Sequence, residues 1–165
     1  MDADEQLLNA RFTFRVRPIP VPSSLRPVRR ISFLVLLFNQ CFGHKSTMLQ
    51  LQVLNWAIRN TENRAQFTRF LEGPILPGEV VVRFDPSLTR AVEFALAENL
   101  IEPAAGKAES TDVPAALPLQ LAEKGKAMVA RLNKYEDIFV IEKQFLNSLG
   151  GKLTRNTIDA LFPKE

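Results

Sequence analysis

Between Asp85 and Leu132 the chain reads as helix, short strand, long turn-rich loop, short strand and helix, and this order leaves few ways to fold it. Asp85 can accept from the free N–H groups of a first helical turn, and Pro86 suits the first helical position. Leu88, Ala91, Val92, Ala95 and Leu96 recur at helical spacing and form one apolar stripe. Asn99 stands where a left-handed cap would end that helix. Leu100 and Ile101 suffice only for an edge strand. Residues 103–118 hold Pro103, Gly106, Pro114 and Pro118 among small and polar residues and read as a loop. Leu119 to Leu121 then resumes a short strand ahead of a helix from Glu123.

That succession is the succession of a winged-helix module with residues 103–118 as its wing; an ordinary helical domain with an inserted loop is the other reading. At 165 residues, 46% of them apolar, the chain has material for one domain with a core. The expected class is α+β, mainly α: a winged-helix-like domain over residues 28–165 with added C-terminal helices, preceded by an extension over residues 1–27.

Within the extension, Phe12, Phe14 and Val16 alternate with Arg11, Thr13, Arg15 and Arg17, the period of a half-buried strand. Pro18, Pro20 and Pro22 then favour a linker. The alternating strand needs an edge, and residues 80–84 are the nearest internal candidate. Residues 28–42 are apolar on all sides and predict a helix at the centre of the fold. Ser46 or Thr47 should cap a helix running to Asn60 with two apolar faces, and Thr61 a third ending at Gly73. Residues 123–134, 136–149 and 154–162 predict three more helices.

Catalytic groups are few. Cys41 and His44 are the sole cysteine and histidine. They lie at a helix end without a third partner, so a packed thiol and a surface imidazole are expected rather than a nucleophile pair. Zinc would need about four Cys or His ligands. The run Gly43-His44-Lys45-Ser46-Thr47 lacks the glycines that wrap a phosphate and reads as a helix N-cap. No enzyme activity, cofactor or metal is expected. One cysteine permits no internal disulfide, the acidic first residues lack the apolar segment of a secretory signal, and no apolar run spans a bilayer, so a cytoplasmic location without membrane contact is expected.

What remains is surface. Residues 11–90 carry twelve bases against four acids, and all but Lys45 of those bases are arginine. Arg11, Arg15, Arg17, Arg26, Arg29 and Arg30 form one set, and Arg59, Arg64 and Arg69 a second at roughly helical spacing. Forked guanidinium groups suit phosphate or carboxylate. These nine are the candidate partner or nucleic-acid contacts; a solvated strand face and helix surface are the alternative. A helix that reads DNA should itself be basic, but residues 86–99 have only Arg90 against Glu93 and Glu98. The module therefore looks suited to protein rather than DNA.

Residues 54–60 (Leu-Asn-Trp-Ala-Ile-Arg-Asn), Asn63-Arg64, residues 82–91 (Val-Arg-Phe-Asp-Pro-Ser-Leu-Thr-Arg-Ala), residues 97–101 (Ala-Glu-Asn-Leu-Ile) and residues 121–125 (Leu-Ala-Glu-Lys-Gly) occur in that order. In this the chain resembles, over residues 28–162, the middle component of three-component ABC systems. The Lamassu-type prokaryotic defence systems belong to that group. In them an SMC-like ABC ATPase, an effector and a small middle protein act together against phage or plasmid DNA. Ala122 departs from the threonine such proteins tend to show before Glu-Lys-Gly, and residues 103–118 are longer than typical. The resemblance implies a non-catalytic adaptor that docks on the ATPase and on a nuclease-type effector, with any DNA contact secondary. A small winged-helix DNA-binding regulator is the alternative; it predicts salt-dependent duplex binding whose salt slope flattens when Arg29 and Arg30 become alanine. The alternating strand and the two-faced helix both call for cover. Isolated chain is therefore expected to be marginally soluble, and a stable, monodisperse monomer in sedimentation would contradict this.

Overall fold

The computed structural model describes residues 20, 22, 26–73, 79–104, 118–150 and 154–162. They form a mainly helical α+β structure with one small antiparallel sheet.

Helix α1 (Pro27–Gln40) starts on proline, and buries Ser32 and every side chain of residues 34–38. It is the central helix, as its all-round apolarity predicts, and packs against α4 (Pro86–Ala97) and α5 (Glu123–Asn133). It stops two residues short of the expected Phe42. Cys41 turns extended, and a tight turn over Phe42–His44 follows, with Gly43 and His44 both at positive φ. The turn feeds a two-residue strand, β1 (Lys45–Ser46), which no periodicity announces.

Thr47 caps α2 (Met48–Ile58) in a reciprocal box. Its hydroxyl accepts from the Gln50 N–H at 3.3 Å, and the Gln50 side chain accepts from the Thr47 N–H at 3.0 Å. Leu51, Val53, Leu54, Trp56, Ala57 and Ile58 are buried, so both apolar faces of α2 are covered. Helix α3 (Thr61–Glu72) is capped by Asn60 instead of Thr61: the Asn60 side-chain Oδ1 accepts from the Asn63 N–H at 2.7 Å. Asn60 holds the extended backbone a cap needs, which leaves Thr61 inside the first turn. Residues 80–85 belong to no strand among the described residues, so residues 80–84 do not supply the expected edge. Residues 11–17, their expected partner, lie outside the described residues.

Asp85 caps α4, with Pro86 at its first position. Asn99 takes the left-handed conformation at φ 54°, and the Leu100 N–H bonds the Ala95 carbonyl at 2.8 Å, which ends the helix as expected. The chain passes into β2 (Ile101–Pro103) and returns through β3 (Leu119–Leu121), with Ile101 opposite Leu121 and Pro103 opposite Leu119. Strand β3 also pairs antiparallel with β1, so the order is β1-β3-β2 with β2 at an edge. Ala104 donates to Pro118 O at 2.9 Å and continues the hairpin past its strands. Residues 105–117, most of the expected wing, lie outside the described residues.

Helix α5 begins at Ala122 without a side-chain cap. Expected from residue 136, α6 (Val140–Leu149) begins later, because Phe139 adopts the left-handed conformation and residues 136–139 form a turn. Thr154 caps the short α7 (Arg155–Asp159), whose expected last turn to Phe162 is not helical. No helix among the described residues is long and apolar enough to cross a membrane.

Gly125 fixes how closely α5 approaches the hairpin. A Cβ there would stand 2.1 Å from Leu100 O and 2.9 Å from a Leu121 methyl. Gly125→Ala would gain up to about 1 kcal/mol in helix propensity. The clash is with backbone that Ala122 N–H also bonds, so it cannot relax by a rotamer change. The expected net result in urea unfolding is a loss of about 2 kcal/mol. A stabilised variant would show that α5 can move off the sheet.

Candidate functional site

Three helices meet through one polar junction. The Gln52 side chain, buried in α2, uses both ends of its amide on the backbone of Asp85: its Nε2 donates to Asp85 O at 3.1 Å and its Oε1 accepts from Asp85 N–H at 2.9 Å. The Asp85 carboxylate caps α4, accepting from the Ser87 N–H at 3.0 Å and from the Ser87 hydroxyl. Its other oxygen accepts from Arg30 Nη1 of α1 at 3.1 Å. Burial alone would push the Asp85 carboxyl up. The Ser87 and Arg30 hydrogen bonds, with the guanidinium charge, outweigh it and hold it at about 2.

Beside this junction opens a cleft of about 190 Å³ lined by Arg29, Arg30, Phe33, Asn55, Ile58, Arg59, Asp85, Phe139 and Glu142. Arg29 Nη2 donates to Glu142 Oε1 at 3.0 Å, and its guanidinium carbon lies 4.7 Å from the centroid of the Phe139 ring. The Phe33 and Phe139 rings have centroids 5.9 Å apart. Phe139 is buried and left-handed at φ 57°, ψ 39°. For a bulky L-residue that conformation costs about 1–2 kcal/mol, offset here by the ring's packing. Backbone strain of this kind concentrates at working surfaces, and it stands in this cleft.

The structure thus draws Arg29, Arg30 and Arg59 together from both sequence sets. Arg26 lies at the N-cap of α1 and is exposed. Arg64 is occupied within the fold: its Nη1 donates to Ile58 O at 2.9 Å and its Nη2 to Thr61 Oγ1 at 3.0 Å, closing the end of α2. Arg69 is exposed on α3, away from the cleft lining. Arg11, Arg15 and Arg17 lie outside the described residues.

Sequence reasoning passed over Gln52, Phe139 and Glu142. Gln52 had one signal, a long polar side chain between apolar neighbours in α2. Phe139 had none, since it reads as one more apolar residue of a helix.

The Cys41 thiol is buried and donates to Leu37 O at 3.4 Å, not to the imidazole. Burial pushes its pKa up, more than the Ser46 hydrogen bond lowers it, which leaves a thiol rather than a thiolate at neutral pH. His44 is half-buried, not the surface imidazole expected, and its Nδ1 is buried without a partner. Among the described residues no three His, Cys, Asp or Glu side chains gather as a metal site would require.

A second hollow, of about 200 Å³, runs between α1 and α4 over Pro27, Ile31, Ala91 and Phe94, and Arg30 lines both it and the cleft. The outward face of α4 carries Thr89, Arg90, Glu93, Phe94, Ala97 and Glu98, with Phe94 54% exposed. No family model matches the chain, and searches of curated proteins and of solved structures find no match.

The depressed acidity of Asp85 makes a signed prediction. Its stabilising contribution is full above its unfolded value of 3.8 and is lost as pH falls through about 2. Asp85→Asn keeps a capping oxygen but removes the charge. At pH 7 urea unfolding should show it less stable by about 2 kcal/mol, and the gap should narrow below pH 4 and close near pH 2. A gap independent of pH would assign the effect to packing instead of charge.

Proposed function

We propose that this protein is a non-catalytic adaptor: a winged-helix subunit that docks through α4 and the β2–β3 hairpin on an SMC-like ABC ATPase. The complex is a three-component, Lamassu-type defence complex directed at phage or plasmid DNA, with a nuclease-type effector as the third component. The sequence resemblance supplies the identity of the complex. The element order supports the docking fold. A helix, a short strand, a second helix, then a helix running directly into a two-stranded hairpin, with strand order β1-β3-β2, support the winged-helix reading with α3 taken as an insertion.

The outward face of α4 carries the choice of partner. In a DNA-reading winged helix this element lies in the major groove and needs several cations against the phosphates on either side. Here Arg90 is the only base on the helix and Glu93 is exposed three residues on, while Glu98 at the C-cap pairs with Lys124 at 3.1 Å. Phe94 stands out from the same face above an apolar hollow. An exposed aromatic over a hollow that Arg30 and Arg90 also line is the composition of a protein-docking patch. A small DNA-binding regulator needs the opposite charge on this helix.

The test is purification through a tag on this chain, expressed with its neighbouring genes. An SMC-like ATPase should elute with it. Phe94→Asp should abolish that association and leave thermal unfolding unchanged, because the ring is more than half exposed. A chain that elutes alone but binds duplex DNA with strong salt dependence would replace this reading with the regulator.

A further inference from the structure

The cleft beneath Arg59 has a charge balance that specifies an occupant. Three guanidinium groups line it against two carboxylates. Arg30 is tied to Asp85 and Arg29 to Glu142, each through one nitrogen. Arg59 is exposed, and among the described residues its side chain has no hydrogen-bond or ion-pair partner. Among the described residues Arg30 Nε also has no acceptor, but it is buried. One unpaired positive charge, that of Arg59, therefore lines a cleft that the Phe33 and Phe139 rings line as well.

We propose that this cleft is an anchor site for a single acidic side chain of a partner protein, its carboxylate held by the Arg59 guanidinium and its apolar neighbours packed on Phe33 and Phe139. A forked guanidinium suits a carboxylate, and arginine with aromatic rings is the usual make-up of an interface anchor. The surroundings match. Phe84, just before Asp85, is 54% exposed, and Ile141, between Phe139 and Glu142, is 57% exposed. A protein partner covers such side chains.

A nucleic-acid backbone fits poorly. Its repeating phosphates need a track of free cations. Beyond Arg59 the surface continues into a hollow that holds Arg83 but also Glu62 and Glu79. Asp85 and Glu142 stand inside the cleft itself. Each added phosphate would meet a carboxylate. A phosphate dianion is disfavoured on the same ground, because only one positive charge is left over.

This inference rests on the adaptor reading in one respect, that a protein partner exists. The cleft and the hollow beside α4 adjoin across the Arg30 side chain, which lines both. A partner seated on Phe94 can therefore place one acidic residue here.

The test uses the full chain with isotope-labelled arginine and follows the Nε–H signals by NMR. The probes are a blocked hexapeptide with one glutamate between leucine and phenylalanine, its glutamine twin, inorganic phosphate and a mixed-sequence duplex. The glutamate peptide should move the Arg59 signal, and its twin should bind about tenfold more weakly, as for the loss of one charge-assisted pair. Arg59→Gln should weaken the glutamate peptide by a similar factor without shifting the melting temperature, since the side chain supports nothing in the fold. Equal binding of the two peptides, no effect of Arg59→Gln, or tighter binding of phosphate or duplex would each overturn the proposal. Failure of the ATPase to co-purify while the glutamate peptide still binds through Arg59 would reject that particular partner and leave the acidic anchor site standing.

Discussion

The fold turns on the two hydrogen bonds between the Gln52 amide and the backbone of Asp85. A buried amide with open donors or acceptors costs about 1–3 kcal/mol for each. In the middle of an apolar helix, Gln52 meets that demand from backbone at a helix start. The Asp85 N–H donates to Gln52, and the Asp85 C=O accepts from Gln52 as well as from the Leu88 N–H of α4 at 3.0 Å. The position of α4 against α2 is thereby specified by polar geometry instead of by apolar contact alone. Hydrophobic packing tolerates sliding; a pair of reciprocal hydrogen bonds does not.

The same residue carries the junction outward. Once its backbone is fixed by Gln52, the Asp85 side chain is placed to cap α4 and to meet Arg30 from α1. Arg30 is largely covered, and a buried guanidinium without a counter-charge would be strongly unfavourable. Asp85 removes that cost and in return stays ionised. Three helices, one cap and one ion pair thus share four residues, and the cleft forms in the angle between them. On its far side, Lys143 donates to Leu132 O at 2.8 Å and Tyr135 O at 2.7 Å. This ties α6 to the end of α5 and presents Phe139 and Glu142 to α1.

What the sequence made legible follows from local chemistry. Asp85-Pro86, Ser46-Thr47 and Asn99 each announce a helix end, because a cap is made by the residue itself and its near neighbours, although only the structure shows that Thr47, with Gln50, makes the cap of α2. The central position of α1 was legible for the same kind of reason, since an all-round apolar helix has nowhere else to go. The parts that escaped depend on distant partners. Strand β1 has two residues and exists only because Gln120 and Leu119 pass beside it. Phe139 is left-handed because Phe33 and Arg29, more than a hundred residues earlier, hold its ring. Arg29, Arg30 and Arg59 were legible as arginines but not as neighbours. Arg64 shared their pattern and yet lies folded back on the end of α2, a distinction that no spacing rule contains.

The junction also sets what the surface selects. Asp85, held at about 2, carries its charge throughout the neutral range and lines the cleft beside Glu142. Two fixed negative charges make a poor cradle for any ligand with more than one, because two of the three guanidinium groups are already partly neutralised by the carboxylates they hold. The count of arginines in the sequence suggested a nucleic-acid track; their pairing in the fold points elsewhere. Specificity by such means works through exclusion as much as attraction. Asp85 and Glu142, which pair with the two arginines of α1, are the same groups that leave this site room for one negative charge, and the ring of Phe139, held on a left-handed backbone, gives it an apolar floor.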